Sequence, residues 1–496
     1  MCVVVHHPFI VQFASLPFLF FFLVVLSLYW LNTKRPTVQK WILLLSSYAF
    51  YTVPFYQHSG WKPLSLLILS TACLHLFESL IQISAPKNKA IALATGVSIQ
   101  LGILGLHKYY HFFRESTLEI AQTLGLEAHL PLLNIVFPVG ISFYCFQAIA
   151  HLVDLKRGHT TPTNSLLNTA IFQAFFPKLL LGPICRSADL IPQLEKPRRY
   201  ILNTHQAIIL ILLGLFKKVI LATYLYESGV SNAFFDPESQ SAFGLWNACF
   251  GYTAQLYCDF SGYTDMARGI ALLFGYTLPK NFDSPYAATN LGDFWKRWHM
   301  SFSKWLRDYI YIPLGGSRKS PLRVSINLFL TFLFCGIWHG ASWGYIIWGG
   351  IHGIGLALHK RERDHMRARG INPNAPKTFI QNFGGWIYMM AFVALSRIVF
   401  QCPDLEHAWI YYNRMFNPNA TGESISIMMI ICIIATLCIN IWGDKIHHHL
   451  NAYFSPIQSI PSFHTILKHT ILITIILYAL FSCMPNGIPP YLYARF

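Results

Sequence analysis

A single histidine, His339, stands inside an apolar run of the chain, in the stretch Phe334–Gly344 (FCGIWHGASWG). An ionisable group at membrane depth is costly, so such a residue is a functional candidate by default. A neutral imidazole, with an ordinary pKa near 6.5, is suited to act as a general base. The alternative is a histidine hydrogen-bonded between helices. The neighbouring Gly336 and Gly340 would allow close helix packing, and they could equally line a narrow channel.

About twenty residues earlier, the segment Phe294–Gly316 (FWKRWHMSFSKWLRDYIYIPLGG) combines aromatic and basic residues. At 100° per residue it predicts one amphipathic helix at the cytoplasmic membrane surface, with His299 at the edge of the aromatic stripe. The stripe contains Trp295, Trp298, Phe302, Trp305 and Tyr309, and the opposite face contains Lys296, Arg297, Lys304 and Arg307. The basic face could receive a phosphate-bearing substrate, or the segment could be only an interfacial anchor.

A third group of candidates lies in Tyr257–Gly269 (YCDFSGYTDMARG), where Asp259 and Asp265 stand in or beside an apolar run. Carboxylates in such a place need cationic partners, and Arg268 is available three residues after Asp265. Gly262 is predicted to break the helix between the two carboxylates. Both a catalytic role and a buried pair that fixes helix packing fit this pattern.

The elements that position these residues are long apolar segments. The chain has 496 residues, of which 54% are hydrophobic and only 12% charged, and its mean hydropathy is +0.42. Runs long enough to cross a bilayer as helices recur along almost the whole length. We predict an all-α, polytopic membrane protein with about 11–12 transmembrane helices. Asn168–Ile184, interrupted by Pro177 and Pro183, is predicted to be a re-entrant element.

The net charge of +16 is explained by basic residues in alternate loops, which are predicted to be cytoplasmic, with both termini outside the cytoplasm. We therefore expect membrane lipid and no nucleic acid as a partner. The eleven cysteines form no CxxC pair, so neither a disulfide framework nor a zinc site is predicted. No metal and no cofactor are expected. The phosphate-binding loop, the GxSxG and HExxH motifs and the dinucleotide-binding glycine pattern are also missing.

The two central motifs, RWHMSFSKWLRDYIYIPLGG and GIWHGASWG, resemble those of the membrane-bound O-acyltransferases, and within them the polysaccharide- and peptidoglycan-acetylating subgroup. Further stretches resemble the same subgroup: FPVGISFYCFQAIAHLVDLKRG, FFPKLLLGPICR, DFSGYTDMARG and the terminal YARF. Family members usually begin near the equivalent of Ala14–Leu16. Residues 1–16 are therefore predicted to be a dispensable extension, and 17–496 a single domain.

The resemblance implies a ring of helices around a tunnel that joins a cytoplasmic donor pocket to an extracytoplasmic acceptor funnel. It implies that His339 is the catalytic histidine and that His299 is the second family histidine, on the donor side. Asp259, Asp265, Trp298 and Trp338 would support the site or line the tunnel, and Lys296, Arg297, Lys304 and Arg307 would bind the donor.

The function implied is transfer of an acetyl group from acetyl-CoA to a cell-surface polysaccharide, in a bacterial cytoplasmic membrane. The acyl thioester would be a substrate and not a cofactor. An extracytoplasmic partner of the SGNH-hydrolase type is expected. Direct transfer and a transient acyl-enzyme both remain open. The alternatives are D-alanyl transfer from a carrier protein toward teichoic acid, and a transporter that moves acyl groups or glycolipids without chemistry.

Overall fold

The computed structural model describes residues 13–454, except for 54–58, 128, 134, 136–137, 164, 197–200, 202 and 424–425. Within this part of the chain the regular structure is helical, and its one β feature is an isolated bridge between Gln240 and Glu423. The predicted all-α class is confirmed. The last predicted span, Ile466–Cys483, and the terminal YARF motif lie outside the described residues.

Backbone contacts group the chain into two compact units. One contains residues up to Ala207 with Met266–Pro279, and the other contains Ile208–Asp265 with the residues from Lys280 onward. The first unit includes α1 (Leu16–Leu31), α2 (Pro36–Thr52), α3 (Lys62–Ile83), α4 (Pro86–Thr123), α5 (Ile141–Arg157), α6 (Leu166–Ala174), α7 (Phe176–Leu179) and α8 (Ser187–Glu195). The single-domain prediction stays a prediction.

The remaining helices carry the candidate chemical groups. In chain order they are α9 (Thr204–Leu215), α10 (Thr223–Glu227), α11 (Asn232–Phe235), α12 (Ala242–Leu273), α13 (Leu291–Arg297), α14 (Met300–Leu306), α15 (Pro321–His339), α16 (Trp343–Ala368), α17 (Phe379–Gln401), α18 (Leu405–Met415) and α19 (Ile427–Phe454). Two π-helical turns, Phe216–Ala222 and Arg307–Tyr311, follow α9 and α14.

Five helical stretches in the described residues are long and apolar enough to cross a membrane: Lys62–Ile83, Pro86–Thr123, Thr204–Glu227, Pro321–His339 and Phe379–Gln401. Shorter apolar helices occupy Leu16–Leu31 and Ile427–Gly443. Large apolar side chains are exposed along several of them, among them Phe20, Leu31, Ile83 and Ile427. These apolar surfaces suit the hydrocarbon interior of a membrane. A helix can lie there because its backbone polar groups are hydrogen-bonded within the helix. The count of 11–12 spans stays a prediction.

Two local predictions have different outcomes. The chain is interrupted inside Asn168–Ile184, where α6 ends at Ala174 and the short α7 covers Phe176–Leu179. That this segment is re-entrant stays a prediction. Gly262, in contrast, does not break its helix, because α12 runs without interruption through it. A Cβ at Gly262 would lie 2.8 Å from the Gly214 carbonyl oxygen, so this glycine permits close contact with α9.

The described residues begin at Phe13, inside the segment that is predicted to be a dispensable extension. Phe13 and Ala14 are buried, Phe13 stacks on Phe50, and the Ser15 hydroxyl accepts the Phe18 backbone N–H at the start of α1. The described structure therefore already includes packed residues before position 17. That residues 1–16 are dispensable stays a prediction.

Candidate active site

The segment Phe294–Gly316 is not the single surface helix that its periodicity predicts. It forms α13, α14 and the second π-helical turn, with a break at Trp298 and His299. The aromatic stripe packs inside the protein, because Trp295, Trp298, Phe302 and Trp305 are all buried. The prediction of one unbroken helix is therefore wrong, and the aromatic stripe of the segment is part of the protein core.

His299 lies at the break, and its conformation is imposed by Asn281, which is remote in sequence. Its backbone has a φ of 43°, in the left-handed region that few non-glycine residues adopt. The Met300 N–H donates to the Asn281 carbonyl (2.8 Å), and the Ser301 N–H donates to Asn281 Oδ1 (3.2 Å). Such strained residues persist only where the surroundings determine them, and they cluster at functional sites.

The same amide oxygen also fixes the protonation of the His299 ring. Asn281 Oδ1 can only accept, so His299 Nδ1, 3.1 Å away, carries the hydrogen, and Nε2 is the basic nitrogen of the neutral ring. His299 lies outside the apolar spanning helices and is 1% exposed. Burial lowers the pKa of its imidazole to about 3, so it is neutral at physiological pH.

This arrangement predicts how the reaction rate depends on pH. In the native protein, His299 does not titrate between pH 5 and 8. Asn281→Asp places a carboxylate beside Nδ1, and the opposite charge raises the pKa of His299. We expect the kcat/KM profile of this variant to gain a decline on the acid side, as imidazolium forms, whereas Asn281→Ser should not gain one. Identical profiles for the two variants would contradict this role of Asn281.

His339 ends α15 and is surrounded by aromatic rings. It is 3% exposed, and its ring centroid lies 4.7 Å from Trp338, 5.1 Å from Trp348 and 5.1 Å from Phe400. The ring planes of Trp348 and Phe400 make angles of 88° and 78° with the plane of the imidazole. Apolar rings packed in this way would keep water from one side of the imidazole.

Small residues bring the two helices beside His339 into close contact. A Cβ at Gly336 would lie 2.2 Å from the Tyr345 carbonyl oxygen, and one at Gly349 would lie 2.4 Å from that of Phe332. The backbones of α15 and α16 therefore touch at these two positions. The sequence-based expectation that Gly336 allows close packing is confirmed, and this packing brings Trp348 of α16 against His339.

Two rings lie between the candidate histidines. Trp338 lies 6.0 Å from the His299 ring and 4.7 Å from that of His339. Phe302 lies 5.1 Å from His299 and 6.4 Å from His339. The structure thus brings His299, His339 and Trp338 together in one aromatic cluster. Trp298 faces a different group, stacking on Phe294 at 5.6 Å.

Asp259 and Asp265 pair with two consecutive lysines of the first π-helical turn. Lys218 Nζ donates to Asp259 at 2.5 Å, and both side chains are buried. Lys217 Nζ donates to Asp265, and its ammonium lies 5.7 Å from the Tyr257 ring centroid. π-Helical turns of this kind are frequent at functional sites. Each of the two carboxylates thus pairs with a lysine that lies more than forty residues away in the sequence.

Two further residues near the cluster escaped the sequence-based reasoning. His352, on α16, accepts the Trp295 indole N–H at Nδ1 (3.2 Å), so its Nε2–H donates to the Ser396 hydroxyl (3.0 Å). Its ring lies 4.6 Å from that of Trp348. These contacts hold in place the indole that packs on His339, so we assign His352 as a positioning residue.

The second residue that sequence-based reasoning did not identify is Arg397, a buried cation on α17. Its Nη1 donates to the Tyr286 hydroxyl (2.9 Å) and to the Thr253 carbonyl (3.3 Å), and its guanidinium lies 4.7 Å from the Trp298 ring centroid. Among the described side chains, no carboxylate comes within 4 Å of it. Cation–π contact and neutral acceptors therefore stabilise this charge.

The four basic residues predicted to bind the donor differ in their surroundings. Arg297 pairs with Asp293 (2.9 Å), and Arg307 pairs with its neighbour Asp308 (2.7 Å), so each of these charges has a local counter-ion. Lys296 and Lys304 are exposed. Among the described residues, no three His, Cys, Asp or Glu side chains are grouped to hold a metal ion.

A buried histidine cluster at the end of an apolar helix, with a water-excluding aromatic wall, suits acyl transfer within a membrane protein. The family model of the membrane-bound O-acyltransferases, MBOAT, matches residues 157–400. The chain belongs to the membrane-bound O-acyltransferase family and is a multi-pass membrane protein with O-acyltransferase activity.

Its relatives indicate a narrower group. The probable alginate O-acetylase AlgI of Pseudomonas aeruginosa is 37% identical over 410 residues, which is 82% of this chain and 75% of that protein. The peptidoglycan O-acetyltransferase of Helicobacter pylori is 34% identical, over 80% of this chain and 76% of that protein. The teichoic acid D-alanyltransferase of Bacillus subtilis is 30% identical over 46% of this chain and 60% of that protein.

Proposed function

We propose that this protein transfers an acetyl group from a cytoplasmic thioester, acetyl-CoA, to an extracytoplasmic acceptor for O-acetylation of a cell-surface polysaccharide. The observation that carries the proposal is the buried aromatic enclosure of His339 at the end of α15. Its relatives that O-acetylate alginate or peptidoglycan match about four fifths of the chain, which supports acetyl as the group transferred. The proposed location is the bacterial cytoplasmic membrane.

In this proposal His339 is the general base. Its unprotonated ring nitrogen takes the proton of an acceptor hydroxyl as the oxygen attacks the thioester carbonyl carbon. The carbon–sulfur bond then breaks, the new ester leaves with the acceptor, and the proton on His339 passes to the departing thiolate. The rings of Trp338, Trp348 and Phe400 keep water from competing with the acceptor.

His299 has a different role in the proposed reaction. Because it is neutral and its Nδ1–H is held by Asn281, its Nε2 can only accept a hydrogen bond. We assign it to the donor side of the cluster, where it orients the thioester arm through a donor group of that arm. Burial lowers the pKa of His299 to about 3, so this histidine can bind the donor as a neutral ring without exchanging protons.

The acceptor and its partner extend the proposal. Uronic acid polymers and peptidoglycan glycan are the acceptor classes that the names of the relatives suggest. An extracytoplasmic protein of the SGNH-hydrolase type is the proposed intermediary, receiving the acetyl group on a hydroxyl and passing it to the polymer. D-alanyl transfer from a carrier protein is the second candidate function, supported by a relative that matches less than half of the chain.

The test uses purified protein in nanodiscs with radiolabelled acetyl-CoA and, separately, a D-alanyl-loaded carrier protein. Thiol release and label on a supplied uronate oligosaccharide or peptidoglycan glycan are both followed, with and without an SGNH-hydrolase-type intermediary protein. We expect acetyl-CoA to be consumed and an acetyl ester to form. Consumption of the D-alanyl carrier alone would replace the proposal with the second candidate. No consumption of either donor would contradict the donor assignment.

A further inference from the structure

A polar cavity of about 260 Å³ lies beside the C-terminal half of α16. Its walls include His359, Glu362 and Arg363 of that helix, together with Asn374, Lys377 and Asn382 from the segment that follows. Arg363 Nη2 donates to Asn374 Oδ1 at 2.7 Å, which holds the guanidinium against the wall. The cavity belongs entirely to the second compact unit.

The charge around this cavity is predominantly positive. Arg363, Lys377 and Lys296 all lie close enough to His359 to act on its charge. The single carboxylate in the lining is that of Glu362, which is 70% exposed. Within the described residues, neither Arg363 nor Lys377 has a carboxylate within 4 Å, whereas nearby Lys360 and Arg367 both pair with Asp364.

The groups in the lining are those that phosphate binds best. A guanidinium offers a planar fork of donors, a lysine ammonium offers a mobile point charge, and side-chain amides offer further N–H groups. The cavity is also near a segment already predicted to bind the donor, because Lys296 belongs to α13. With Arg297 and Arg307 paired to carboxylates, Arg363 and Lys377 are the better-placed partners for an anion.

Helix α16 fixes the distance from the cavity to the candidate base. Trp348, which packs on His339, and His359, which lines the cavity, stand on this helix eleven residues apart. At 1.5 Å per residue they are separated by about 17 Å along the axis. An extended phosphopantetheine arm bridges a gap of this order, and it joins the thioester to the phosphates of coenzyme A.

We propose that this cavity binds the phosphate-bearing nucleotide head of the thioester donor, with Arg363 and Lys377 as its cationic ligands and with Lys296 adding positive charge nearby. The pantetheine arm then follows α16 from His359 toward His339. This inference rests on the proposed function and adds to it a second binding site, separate from the reacting atoms. The same chemistry would suit the phosphate of an anionic lipid headgroup, which the experiment must distinguish.

The test compares acetyl-CoA with acetyl-pantetheine, which carries the same thioester but no phosphate. For Arg363→Gln combined with Lys377→Gln, we expect the KM for acetyl-CoA to rise about 10–100-fold, as loss of charge-assisted hydrogen bonds implies. The kcat, the melting temperature and the KM for acetyl-pantetheine should stay unchanged. Arg361→Gln is the matched control, because this arginine is exposed on the same helix and does not line the cavity.

Each variant is assayed in nanodiscs of phosphatidylcholine with and without phosphatidylglycerol. An effect on acetyl-CoA in both lipids, with none on acetyl-pantetheine, is the expected result. An effect seen only with phosphatidylglycerol would assign the cavity to a lipid headgroup and overturn the inference. Equal KM values for variant and native protein would overturn it too while leaving the proposed function intact. If the native protein consumes no acetyl-CoA, both fail.

Discussion

Replacing His339 with alanine is expected to lower the rate of acyl transfer by about 10²–10⁴-fold, the usual contribution of a general base. The reason is geometric as well as chemical, because the rings of Trp338, Trp348 and Phe400 pack against the imidazole and limit the access of water to it. Thiol release from labelled acetyl-CoA measures the effect directly. The KM for the donor should change little, since the proposed donor contacts lie elsewhere.

Folding has to be separated from chemistry, because His339 is buried. His339→Gln fills much of the same space and keeps polar atoms, but it cannot take a proton, so we expect the same loss of rate with a native melting temperature. His365→Ala, at an exposed position on α16, serves as the control and should retain full activity. Full activity in His339→Gln would mean that the histidine only holds helices together, and partial flux without product would favour a transporter.

Replacing Asp259 with asparagine is expected to lower the free energy of unfolding by about 3–5 kcal/mol, the usual cost of leaving a buried charge without its counter-ion. Lys218 is fully buried and Asp259 is 2% exposed, so water cannot solvate the ammonium that remains. Helices α9 and α12 also touch at Gly262, three residues after Asp259. Thermal unfolding in a mild detergent measures the change.

Two further variants test whether the unpaired buried charge causes the loss of stability in Asp259→Asn. Lys218→Met combined with Asp259→Leu removes both charges, and we expect it to recover most of the lost stability. Asp283→Asn breaks the Lys280–Asp283 pair, whose side chains are 42% and 39% exposed, and should cost less than about 1 kcal/mol. If Asp259→Asn melts like the native protein but loses acyl transfer, Asp259 acts in the reaction and its pairing is not mainly structural.

The sequence was sufficient to find the candidate histidines but not the backbone that holds them. His339 was found because it is an isolated ionisable residue in an apolar run. Periodicity predicts one unbroken helix over Phe294–Gly316, because it reports only local preference. The break at His299 depends on hydrogen bonds from Met300 and Ser301 to Asn281, eighteen or more residues earlier, which no local pattern contains.

The ionic and polar partners were missed for a related reason. Lys217 and Lys218 lie inside an apolar run, which is itself a sign of function, but their carboxylates are more than forty residues away. His352 and Arg397 are also ionisable residues inside predicted spans, which likewise indicates a functional role. Each pairing depends on which helix faces lie against each other, and amphipathic patterns are weak where helices are apolar on all sides.

The central claim is that the protein moves an acyl group from a thioester on one side of the membrane to a hydroxyl on the other, with His339 as the base. The direct measurement uses sealed proteoliposomes with labelled acetyl-CoA inside, and with acceptor glycan and the intermediary protein either both outside or both enclosed with the donor. We predict label on the glycan only when donor and acceptor are on opposite sides, and none with His339→Gln. Equal labelling with both on one side, or labelling unaffected by His339→Gln, would contradict the account.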